Sequence, residues 1–252
     1  MCKWMKKKWH GSDHLIVLIL SNFMLFCTMF FFLILLSLGF ICISAEYPES
    51  LAASYPRVEE LDRAKITDEI LKAPFLEEVI SSSPPHTKVK YGIVGHSLGC
   101  GTASNTGDKS WTRVCISGFV REREDTQGSD VLFISSLNDG LVTLDRLEAA
   151  IPPDFVRMNE NDERVRSPSG VVFPRRSAIV FESDTGPNHI SFLADGVNNA
   201  MIDLLSPLLP VAQGLGIPVL DFDKYQMSQD SKPTAEVVIP LVSSYLKQRM
   251  LK

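Results

Sequence analysis

The chain is poor in cysteine and has no pairing pattern for the few it holds. Cys2, Cys27, Cys42, Cys100 and Cys115 are scattered along 252 residues, with no C-x-x-C pair among them. This excludes a structural zinc site of the usual spacing and gives no sign of a disulfide framework. Histidine is also scarce: there are five, at positions 10, 14, 86, 96 and 189. Basic residues are sparse relative to acidic ones, with a net charge of −5, and four lysines (Lys3, Lys6, Lys7, Lys8) crowd the first few positions. The body is therefore acidic, which argues against nucleic acid as a partner. No internal repeat and no low-complexity tract occurs.

One long segment lacks charge altogether. From Leu15 to Ala45 no Asp, Glu, Lys or Arg appears. About 20 apolar residues span a bilayer, so the run predicts a transmembrane helix over 15–37. It follows a basic segment 1–14 and precedes a domain 38–252. Lysines before the run, with Trp4 and Trp9 suited to an interface, predict a single-pass anchor with its N-terminus in the cytosol. A signal peptide cleaved near Ser44-Ala45 is the alternative, disfavoured because its apolar core exceeds the usual length of about 7–15 residues. A soluble protein is the further alternative if the run is not a genuine segment. Gly39–Pro48 also reads as a strand, so residues 39–45 fit two assignments.

The rest of the chain has the pattern of an α/β domain. Val89–Val94 is apolar and runs into Gly95-His96-Ser97-Leu98-Gly99, a G-x-S-x-G sequence followed by the small residues Cys100-Gly101-Thr102-Ala103. A strand that turns sharply into a helix needs small residues two positions either side of the serine, and it lifts that serine clear of the sheet. No Gly-Lys-Ser or Gly-Lys-Thr triplet occurs, so a phosphate-binding loop is not indicated. Three more apolar blocks, 112–119, 131–136 and 177–181, read as parallel strands covered on both faces. The second runs into Asn138-Asp139-Gly140 and a helix over 141–150. The third runs into a loop carrying His189. Ser97, Asp139 and His189 would then all lie beyond the carboxyl ends of strands, where open α/β sheets hold their sites. Asp145 and Glu182 remain alternative acids for His189. Cys100 reads as a small buried residue. Residues 152–176 read as a loop, Arg57–Ile80 as helix interrupted at Pro74, and 198–213 and 234–251 as helices.

These residues, in the order serine, aspartate, histidine, resemble the α/β-hydrolase superfamily, in its serine esterase and lipase-like members. The resemblance covers residues 38–252 and implies a mostly parallel sheet with flanking helices. Measured against that family the first strands are missing, and with them the loop that donates one oxyanion N–H; His10-Gly11 only faintly resembles it. The resemblance implies Ser97 as nucleophile, His189 as general base and acid, Asp139 as the orienting carboxylate, and the backbone N–H of Leu98 as an oxyanion donor. The expected activity is hydrolysis of carboxylic esters, lipid-like ones included, through an acyl-enzyme with no cofactor and no metal. The expected partners are a small-molecule or lipid ester and the membrane. A non-catalytic hydrolase-like membrane protein, and a thioesterase or acyltransferase on the same three residues, are the alternatives. The oligomeric state is not legible in the sequence.

Overall fold

The computed structural model describes residues 14–20, 40–45, 89–120, 122–140, 144–189, 191 and 231–251, with isolated positions between 67 and 78 and at 207 and 210. Its strands are β1 (His14–Leu20), β2 (Phe40–Ala45), β3 (Val89–His96), β4 (Thr112–Ile116), β5 (Asp130–Ser136), β6 (Val156–Asn159) and β7 (Arg176–Phe181). The helices are α1 (Leu98–Asn105), α2 (Leu144–Ala150), α3 (Glu163–Arg166) and α4 (Ser231–Met250). The strands form one seven-stranded sheet in the order β2-β1-β3-β4-β5-β7-β6. Each pairing is parallel. All carboxyl ends therefore lie along one edge.

The core follows from period-two alternation on the central strands. Val94, Val114, Ile116, Leu132, Ile134, Ile179 and Phe181 face one side, where they pack with Val238, Leu241, Val242, Tyr245, Leu246 and Met250 of α4. Those α4 positions recur at the spacing of a single helical face. Ile93, Cys115, Val131, Phe133 and Ala178 face the other side, with Cys100 and Ala103 of α1. Small residues on α1 let it sit close to the sheet. Gly92 does the same for α4, since a Cβ there would lie 2.8 Å from the Met250 sulfur. Pro240 lies inside α4, as the sequence led us to expect for a helix over 234–251.

Two expectations are corrected. A membrane helix was expected from residue 15, but Leu15–Leu20 belong to β1, hydrogen-bonded to β2 on one side and β3 on the other. A strand inside a parallel sheet is covered on both faces, so it needs no polar alternation and looks like part of any long apolar run. Residues 21–37, the remainder of the expected span, lie outside the described residues. Among the described residues no helix is long and apolar enough to cross a membrane. The second correction concerns 152–176. This stretch contains β6, which adds to the sheet at the β7 edge, and α3, capped by the Asp162 side chain accepting from Arg164 N. The strand expected within 39–48 is present as β2, which pairs with β1. The expected helix 57–80 is described at scattered helical positions, and 198–213 at two isolated positions.

The strand order sets where a site can form. The chain goes from β1 outward to β2 and then returns to β3 on the other side of β1. The direction of winding thus reverses between β1 and β3. A crevice opens at such a reversal, outside the carboxyl ends of the strands. In register, Leu20 at the end of β1 sits beside Gly95, one residue before the end of β3, and Ser97 follows His96.

Candidate functional site

Ser97 occupies the single position between β3 and α1. Its backbone has φ 56° and ψ −121°, a conformation that costs an L-residue free energy and persists because the surroundings impose it. They do so by close packing. A Cβ on Gly95 would lie 2.2 Å from the carbonyl oxygen of Gly99, and one on Gly118 would lie 2.2 Å from the carbonyl oxygen of Ser97. Ser97 N–H donates to Ile116 O at 2.9 Å, and Cys100 N–H donates to Ser97 O at 3.0 Å. Among the described residues, the other non-glycine with positive φ is Ser117, at 51°, just past the end of β4. Both strained positions therefore sit at adjacent strand ends on the same edge.

The loops after β5 and β7 bring the other two side chains to this point. His189 Nε2 lies 2.9 Å from Ser97 Oγ. His189 Nδ1 lies 3.0 Å and 3.1 Å from the two carboxylate oxygens of Asp139. A carboxylate facing Nδ1 can only accept, so Nδ1 carries the hydrogen and the neutral ring presents a lone pair at Nε2 toward the hydroxyl. Asp139 is fully buried and His189 nearly so. The three side chains picked out in the sequence are thus hydrogen-bonded in series. Leu98 is the first residue of α1, where backbone N–H groups have no partner within the helix.

The alternative acids lie elsewhere. Asp145 is in the first turn of α2. Glu182 accepts from Arg157 at 3.2 Å and from Asn159 Nδ2 at 3.1 Å, joining β6 to the end of β7. Cys100 is buried, its thiol donating toward Gly95 O and Ile116 O at 3.2 Å. Burial pushes that thiol well above its ordinary pKa, the opposite of what a nucleophilic cysteine needs. Among the described residues, no cluster of His, Cys, Asp or Glu could hold a metal ion. His10 and Gly11 lie outside the described residues.

Two contributing residues escaped the sequence reading. Asn138, beside Asp139, donates through Nδ2 to Ser183 O at 2.9 Å and to Gly186 O at 3.3 Å. It ties the β5 loop to the loop that leads to His189. His96, inside the G-x-S-x-G run, contacts the main-chain oxygen of His189 at 2.8 Å. The adjacency of Asn138 to a candidate acid was a signal for the first; a polar side chain at a strand end was a weak one for the second. The loop that leads to His189 borders a cleft of about 380 Å³, lined by Gly186 and Pro187 of that loop and by Phe181, Val238 and Pro240.

No protein-family model matches the chain, and no curated protein matches it.

Proposed function

We propose that the protein is a serine hydrolase of the α/β-hydrolase kind that cleaves carboxylic esters through an acyl-enzyme. The observation that carries this reading is the series Ser97 Oγ, His189, Asp139, with contacts of 2.9 Å and 3.0 Å. A serine hydroxyl is a weak nucleophile at neutral pH and needs a base within hydrogen-bond reach. A neutral imidazole whose other nitrogen is tied to a buried carboxylate meets that need. As Ser97 Oγ bonds to the carbonyl carbon, its proton passes to His189 Nε2. The tetrahedral species collapses, and the alcohol leaves with that proton. Water then repeats the sequence on the acyl-serine, releasing the acid and restoring Ser97.

Negative charge develops on the substrate oxygen in both steps. The N–H of Leu98, at the start of α1, is the donor we assign to it, and the helix N-terminus adds a favourable partial charge. Asp139 fixes the ring orientation and stabilises the imidazolium formed mid-reaction.

A fluorophosphonate probe tests the assignment, because it phosphonylates only an activated serine. Labelling of the folded protein that disappears in Ser97→Ala, together with turnover of a p-nitrophenyl ester lost in the same variant, is the expected result. Folded protein that takes up no label and turns over no ester would overturn it.

A further inference from the structure

We infer that His96 is a positioning residue, holding the main-chain carbonyl of His189 so that the imidazole of His189 stays in reach of Ser97. This role rests on the reading of Ser97 as nucleophile and His189 as base. His96 is the last residue of β3 and directly precedes Ser97. Its Nε2 lies 2.8 Å from His189 O. A carbonyl oxygen can only accept, so Nε2 of His96 carries the hydrogen and donates.

The consequence lies in what is fixed on either side of the His189 Cα. Its N–H donates to Asp139 O at 2.8 Å, and its C=O accepts from His96. Both neighbouring peptide groups are thereby held, one to the loop of the acid and the other to the elbow itself. The Asp139 carboxylate sets the ring orientation. With backbone and ring both determined, Nε2 has one place to be. Removing the His96 contact leaves the carbonyl side of His189 without its link to the elbow. A displacement of about 1 Å is enough to cost up to about a hundredfold in rate.

His96 suits this task because it stays uncharged while His189 takes up a proton. The two rings lie 4.9 Å apart, tilted by 47°. Burial, followed by the field of His189, lowers the His96 pKa to about 3. At neutral pH it therefore donates a hydrogen bond without placing a second positive charge beside the imidazolium that forms in the reaction.

Three variants of the full chain separate positioning from filling of space. Glutamine can place an amide N–H where Nε2 stands, asparagine is one carbon too short, and leucine keeps bulk without a donor. The readouts are the rate of fluorophosphonate labelling, kcat and KM for a p-nitrophenyl ester, and the melting temperature. His96→Leu and His96→Asn are expected to lose about tenfold to a hundredfold in kcat and labelling rate with KM changed less than about twofold. His96→Gln is expected to recover to within about threefold of the parent. In a His189→Ala background, His96→Leu is expected to change the residual labelling rate less than about twofold, because the group it positions is gone. Equal activity in the leucine variant and the parent would overturn the inference. So would leucine, asparagine and glutamine variants that lose activity alike, or a leucine effect undiminished without His189. A parent protein that takes no label at all is a different failure, that of the serine hydrolase reading itself.

Discussion

Asp139 and His189 are joined twice: by carboxylate to ring nitrogen at 3.0 Å, and by main-chain carbonyl to main-chain N–H at 2.8 Å. The second bond does not involve either side chain. The acid can therefore be replaced by its amide while the two loops stay together, which separates electrostatics from geometry.

Asp139→Asn is expected to fold and to lose roughly four orders of magnitude in kcat, because an amide donor favours the tautomer with hydrogen on Nε2, facing Ser97. Asp145→Asn is expected to leave kcat within about twofold, since that residue is exposed on α2 and a surface substitution of this kind changes little. Steady-state ester hydrolysis with both variants checks the assignment of the acid. Comparable losses in both would contradict it.

The central strands were legible because each is a short apolar block with polar or small residues at its ends. Expected blocks at 112–119, 131–136 and 177–181 correspond to β4, β5 and β7 within a few residues. β6 was not legible, because Val156-Arg157-Met158-Asn159 is a four-residue edge strand half made of polar residues. β1 was hidden for the opposite reason: an apolar strand adjoining a longer apolar run has no local boundary. Ser97, Asp139 and His189 could be found because each follows a recognisable strand. The contacts of His96 and Asn138 join residues 93 and 45 positions apart, and no local pattern encodes such a pairing.

Gly118 tests the close packing under Ser97. A Cβ there would meet backbone, at 2.2 Å from Ser97 O, and the Cys100 sulfur at 2.6 Å. Backbone has no rotamer with which to yield. Gly118→Ala is expected to destabilise the protein by about 3 kcal/mol, at the upper end of overpacking costs. Gly128 supplies the contrast: its φ is 80°, and a Cβ there would meet nothing within 4 Å. Gly128→Ala carries only the cost of left-handed backbone, about 1 kcal/mol. Chemical denaturation of the two variants should give that order; a smaller loss at Gly118 would mean that the elbow relaxes freely.

Arg113 is fully buried, and its hydrogen-bond partners among the described residues are carbonyls rather than carboxylates. Its guanidinium donates to Ala103 O at 3.0 Å, Thr106 O at 2.6 Å, Asp108 O at 2.9 Å and Trp111 O at 3.0 Å. Ala103 lies in the last turn of α1 and Thr106 is its C-cap, where the helix dipole is negative. Burial lowers the Arg113 pKa to about 10, still far above neutral, so the charge is kept. Arg113→Met would remove the donor from the buried acceptors Ala103 O, Thr106 O and Trp111 O, at about 1–3 kcal/mol for each left unpaired where water cannot enter. A loss of at least about 3 kcal/mol is expected by denaturant titration. Lysine is expected to recover little of it, because one ammonium cannot reach four carbonyls arranged for a planar fork.

The low pKa of His96 also predicts how stability responds to acid. In the unfolded chain an imidazole titrates near 6.5, whereas in the folded protein His96 titrates at about 3. Between these values the unfolded state holds the proton and the folded state does not, so stability rises with pH across that window. The contribution is complete above about pH 6.5 and falls away as the pH drops toward 3. Its slope is at most about 1.4 kcal/mol per pH unit, the value for one proton. His96→Gln removes the titrating group while keeping the donor, so its stability should decline less than the parent's between pH 7 and pH 4. Denaturant midpoints measured at half-unit intervals would show two curves that diverge as the pH is lowered. Parallel curves would mean that His96 titrates alike in both states.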